Sequence, residues 1–64
     1  MTITEALQRS VAAAGWTPTR LAYEAGVTEA AARKWLAGDA KPGGEPMIRL
    51  QRSLPGFIGL VSAA

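Results

Sequence analysis

Cysteine and histidine are both absent from this 64-residue chain. Without cysteine there is no disulfide, no thiolate nucleophile and no cysteine-bound metal. Without histidine the usual imidazole base and the other common zinc ligand are missing too. Asp39 and four glutamates remain (Glu5, Glu24, Glu29 and Glu45), and carboxylates alone are ordinary surface residues. No nucleophile–base pair and no metal site can be assembled from this set. The sequence therefore predicts a non-enzymatic protein with no cofactor, no metal and no small-molecule substrate. Long apolar runs are also lacking. None approaches the ~20 residues that span a bilayer, and Met1 to Glu5 have neither the basic stretch nor the apolar core of a signal peptide. The expected place is the cytoplasm, with no membrane partner.

Aromatic residues are few: Trp16, Tyr23, Trp35 and Phe57. Alanine supplies much of the 48% hydrophobic content, which suits small helices packed closely. A chain of this size is one domain, 1–64, and buries only ~60% of its unfolded surface, so its stability is modest.

No stretch alternates long enough for a strand, and helical punctuation recurs. Thr2 with Glu5 fits a capping box ahead of a helix over Ile3–Ala14, whose stripe is Ile3, Leu7, Val11 and Ala14, with Gly15 as its stop. Thr17 fits an N-cap with Pro18 at the first helical position, and Trp16 with Leu21 fits a hydrophobic staple. That helix stops at Gly26. Thr28 caps a third helix ending at Gly38. The run from Asp39 to Pro46, with two prolines and two glycines, reads as a connector. A fourth helix is expected from near Pro46 to Leu54, with Met47, Leu50 and Leu54 on one side and Pro55 ending it. The tail from Gly56 reads as one more short helix or as irregular packing.

Net charge is only +2. Glu5–Arg9, Glu29–Arg33 and Glu45–Arg49 have i,i+4 spacing on expected helices, and Arg20–Glu24 has it in the less favourable order. Setting these aside leaves Lys34, Lys41 and Arg52 against Asp39, so unpaired positive charge falls in the later part of the chain.

Two short helices meet at Gly26. Leu21, Ala22 and Ala25 face inward, alanine at 22 allows close backbone approach, Gly26 permits a positive φ, and Val27 plugs the space between the helices. With Leu21-Ala22, Gly26-Val27-Thr28, Trp35, Gly38 and Pro42, the chain resembles the helix-turn-helix family of phage Cro and repressor proteins, also called the XRE family. The specific likeness covers residues 17–42, with the motif at 17–38, and extends loosely over 4–55. It departs from the family at Ala32, where isoleucine or valine is usual, and at Leu36, where glutamate is frequent. At Pro18 the family often has a phosphate-binding glutamine, so that contact does not carry over. The resemblance implies an all-α, four- to five-helix lambda-repressor-like domain that binds double-stranded DNA as a transcriptional regulator. Its helix 28–37 would lie in the major groove.

At about 100° per residue, Glu29, Ala30, Arg33, Lys34 and Ala37 share one face of that helix, opposite Ala31, Ala32 and Trp35, with Leu36 between. Glu29, Ala30, Arg33 and Lys34 are the expected base readers. Arg33 suits guanine O6 and N7, Lys34 the same or phosphate, and Ala30 and Ala37 a thymine methyl. Glu29 suits cytosine N4, support of Arg33 or the helix dipole. Expected phosphate contacts are Thr17 and Thr19, Thr28 (by its hydroxyl or only as a cap), and Lys41, Gly43 and Gly44 in the connector. Trp16 and Trp35 read as core.

In the tail 55–64, Phe57, Ile58, Leu60 and Val61 either close the monomer core or form a dimer interface. The resemblance favours a homodimer on a pseudo-palindromic operator. The modest charge and Glu29 on the reading face also fit an alternative, a protein-interaction module that keeps the fold without binding DNA.

Overall fold

Threonine opens each of the first three helices, and a left-handed glycine closes each. In the computed structural model, which describes residues 1–63, these are α1 (Ile3–Ala14), α2 (Pro18–Ala25) and α3 (Glu29–Ala37), followed by α4 (Gly44–Ser53) and α5 (Phe57–Ala63). No strand occurs among the described residues. The described residues form an all-α domain of five helices, and none of them is long and apolar enough to cross a membrane.

Local chemistry sets the boundaries. Thr2, Thr17 and Thr28 accept hydrogen bonds from the amides of Glu5, Arg20 and Ala31, each at 3.1 Å. Each satisfies one of the donors that a helix start leaves unpaired. Glu5 completes the capping box by accepting from the Thr2 amide at 3.0 Å. At the other end of α2, Gly26 has φ +73°, its amide donates to the Tyr23 carbonyl, and the Val27 amide donates to the Ala22 carbonyl at 3.0 Å. This doubly bonded turn needs a left-handed residue. An added Cβ at Gly26 would also lie 2.5 Å from Arg49 Nη1, so α4 fills the space beside the turn.

The core draws on every helix: Ala6, Leu7 and Val11 from α1; Leu21, Ala22 and Ala25 from α2; Ala32 and Trp35 from α3; Leu50 from α4; then Leu54 and Phe57. α1 lies against α3 and α5, while α2 lies against α3 and α4. Ala32 is fully buried, so this small side chain faces the core. Pro42 is buried too, and Trp16 and Val27 pack partly buried against the same cluster. Gln8 donates its side-chain amide to the Leu36 carbonyl at 2.7 Å, tying α1 to the C-terminal end of α3. Ser10 is buried, and its hydroxyl has no hydrogen-bond partner among the described residues.

α4 begins at Gly44, not near Pro46 as the sequence suggests. The first turn of a helix needs no intrahelical donors, so Pro46 is accommodated as its third residue. Gly44, at φ +57°, turns the chain into the helix.

Candidate nucleic-acid interface

α3 has two distinct sides. Glu29, Ala30, Arg33, Lys34 and Ala37 are all exposed, whereas Ala32 and Trp35 are buried and Ala31 and Leu36 half-buried. Alanine at four of its nine positions favours the helix intrinsically and keeps its outer side slim. At 1.5 Å per residue the helix is about 13 Å long, close to the ~12 Å width of a major groove. Trp35, 6% exposed, fixes the rotation of the helix about its axis, and that in turn sets which residues face outward.

The outer row is tied back to α2. The Thr19 hydroxyl donates to Glu29 Oε1. Glu29 Oε2 accepts from Arg33 Nε at 3.4 Å and from Nη2 at 3.3 Å. The carboxyl group of Glu29 is held below its ordinary value, first by the Thr19 hydrogen bond and then by the hydrogen bond and positive charge of Arg33. The sequence pairs Glu29 with Arg33 but gives no sign of the link to Thr19, ten residues away. The available signal was chemical: a hydroxyl in the first turn of one helix and a carboxylate opening the next, joined by a three-residue turn.

Thr17 and Thr28 are exposed cap residues. Each hydroxyl oxygen accepts from the helix, which leaves its hydrogen to donate outward. Thr19 differs. Its hydroxyl hydrogen goes to Glu29, while its backbone N–H is a first-turn donor without an intrahelical acceptor. The Thr19–Glu29 bond also brings the N-terminal ends of α2 and α3 together.

Lys41 is exposed, and an added Cβ at Gly43 or Gly44 would meet nothing within 4 Å. Gly43 is the N-cap of α4 and supplies no side-chain hydrogen bond to it. Gly44 belongs to the first turn of α4 rather than to the connector.

The tail divides. Phe57 is completely buried in the core of its own chain and has no surface to offer a second copy, which corrects its place in the expected interface. Leu60 and Val61 are half-buried against the core, and Ile58 is 57% exposed. Ala64, the last residue of the expected tail, lies outside the described residues.

Three of the four expected charge pairs form: Arg20–Glu24 at 2.7 Å, Arg33–Glu29 at 3.3 Å and Arg49–Glu45 at 3.4 Å. Glu5 instead closes the cap of α1, so Arg9 joins Lys34, Lys41 and Arg52 as a cation without an ion pair among the described residues. Trp16 packs against the core as expected. It also lies under Arg20, whose guanidinium carbon is 5.1 Å from the ring centroid. A surface recess of about 230 Å³ lies between α2 and α4, lined by Ala25, Gly26, Glu45, Pro46 and Arg49. It contains none of the expected site residues. No family model, no curated protein and no solved structure matches the chain.

Proposed function

We propose that this chain is a sequence-specific regulator of transcription that binds double-stranded DNA, of the small phage-repressor type, with α3 in the major groove. The observation that carries this reading is the outer row of α3. Arg33 and Lys34 stand between Ala30 and Ala37 on a slim, exposed face, while Trp35 and Ala32 lock the opposite face into the core. The surrounding chemistry supports it: the N-terminal ends of α2 and α3 meet, and helix N-termini favour phosphate. Thr17, the Thr19 amide and Thr28 would contact the backbone there, with Lys41, Gly43 and Gly44 beside the next helix start. A homodimer on two half-sites about 10 base pairs apart completes the reading. Ile58 would stand at its centre, with Leu60 and Val61 adding the apolar surface they leave exposed.

Titration of labelled DNA at increasing salt tests the proposal. Affinity should fall linearly with salt on logarithmic axes, with a slope of about −0.9 per phosphate neutralised. An inverted-repeat sequence should be preferred over scrambled DNA. Absence of any preference at low salt overturns it. A second reading, a protein-interaction module, draws on the apolar side chains left in solvent: Tyr23 is 80% exposed, and Ile48 and Ile58 are exposed as well. Replacing Arg33 and Lys34 together with alanine separates the two. DNA binding is lost under the first reading, and partner binding is intact under the second.

A further inference from the structure

Glu29 is an acidic residue in the middle of a surface proposed to meet an anionic polymer. We infer that it is a positioning residue, not a base reader: anchored to Thr19, it holds the Arg33 guanidinium so that one edge is free, and each half-site carries a guanine selected by that edge. This inference rests on the DNA-reading proposal for α3 and names what that surface selects.

The stereochemistry of the guanidinium carries the argument. Arginine has five N–H donors arranged along two usable edges. The side edge, Nε with Nη2, points at Glu29 Oε2. The end edge, Nη1 with the second hydrogen of Nη2, makes no hydrogen bond to any described residue. An end edge presents two parallel donors, and guanine offers two acceptors, O6 and N7, in the major groove. Adenine offers an acceptor and a donor there, so the same edge meets one mismatched group. With its side edge occupied, Arg33 loses the option of turning sideways to a neighbouring base or a phosphate.

Glu29 is spoken for in the same way. Its Oε1 accepts from the Thr19 hydroxyl and its Oε2 from Arg33. A carboxylate reading cytosine would need an oxygen released toward the groove, but each already accepts a hydrogen bond within the protein. An exposed i,i+4 ion pair holds an arginine only weakly. The third point of attachment comes from a different helix, and it fixes the carboxylate relative to the whole α2–α3 unit. The positive charge of Arg33 offsets the negative charge of Glu29 locally, which reduces its repulsion of nearby phosphates. As water is excluded on binding, the pair strengthens.

Selection from a library of randomised half-sites tests this with the whole chain and four variants. The wild type should enrich guanine at one position per half-site, and Arg33→Ala should erase that preference alone. Glu29→Asp keeps a negative charge at the helix start but is one methylene too short to span both partners. It should cut guanine discrimination about tenfold, within the range of one bidentate base contact, at the position that Arg33→Ala affects. Thr19→Val should reduce it by a smaller factor at the same position. Glu29→Ala should tighten binding to non-specific DNA while loosening selection, opposite directions that a general loss of fold does not produce. A melting curve for Glu29→Asp close to wild type confirms that the effect is local. If the Glu29 variants change preference at a base pair that Arg33→Ala leaves untouched, Glu29 reads DNA directly and the inference is overturned. Unchanged selection in Glu29→Asp and Glu29→Ala overturns it as well, with the DNA reading left standing. A wild-type chain that selects no sequence overturns the DNA reading and this inference together.

Discussion

The α2–α3 pair and the α4–α5 pair are held by different means. In the first, polar groups define every end: Thr17 and Thr28 cap the starts, Gly26 closes the turn with two backbone bonds, and Thr19, Glu29 and Arg33 join the two helices on the outside. In the second, α4 starts at a glycine with no side-chain cap and ends at Leu54 in extended backbone. What fixes these helices is burial of Leu50, Leu54 and Phe57. Hydrophobic burial is non-directional, whereas hydrogen bonds impose geometry. The pair proposed to read DNA therefore carries the geometric devices, and the other pair supplies cohesion.

The largest expected effect breaks the second pair. Phe57→Ala removes a completely buried aromatic ring and should cost about 3–5 kcal/mol. Small domains have only ~5–15 kcal/mol in all, so the variant should be largely unfolded or severely destabilised by thermal melting. A melting temperature near wild type would show that α5 is dispensable to the core and would return Phe57 to the expected dimer interface.

Gly26→Ala attacks the geometry of the first pair. An alanine at φ +73° costs about 1–2 kcal/mol, and its methyl group would push Arg49 from the turn. The Arg49 side chain is flexible, so the strain of the left-handed backbone should dominate. Circular dichroism melts of Gly26→Ala and of the double variant Gly26→Ala with Arg49→Ala check this. If the second substitution restores most of the stability, the collision dominates instead.

Caps come next. Thr28→Ala and Thr17→Ala should each cost about 1 kcal/mol. Adding serine at position 43 should cost α4 nothing, because Gly43 makes no cap bond there and is not left-handed. A gain in stability at 43 would give α4 the kind of polar definition that α2 and α3 already have.

How far the sequence reveals this molecule follows the same division. Helices α1 to α3 could be bounded to the residue because capping threonines and closing glycines are local signals. α4 could not: its uncapped glycine start and the proline in its first turn look like a connector. The outward row of α3 followed from periodicity alone, since alanine and tryptophan on its other side left no second solution. Thr19 contacting Glu29 was not legible, because it depends on how two helices cross. Phe57 was ambiguous for the complementary reason. An apolar residue in a tail is equally suited to a core or a partner, and only the path of the chain after Leu54 places it inside.

The smallest effect tests whether the polar joint of α2 and α3 depends on charge. Folding holds the Glu29 carboxyl below the ordinary value of 4.5 through Thr19 and then Arg33, and Glu5 is held down by the Thr2 amide and then the Thr2 hydroxyl. A carboxylate depressed on folding contributes stability above its unfolded value and loses it as pH falls through the folded one. Wild type should therefore exceed Glu29→Gln in stability near neutral pH, and the gap should close as pH drops below 4.5. Because this site is exposed, high salt should narrow the gap as well. Amide exchange locates the loss. Protection at the α2–α3 junction should fall with pH before that of Leu50 and Leu54, whose burial involves no titrating group. A gap that stays constant across the acid range would mean that glutamine serves Thr19 and Arg33 as well as glutamate does, and that shape alone holds the joint.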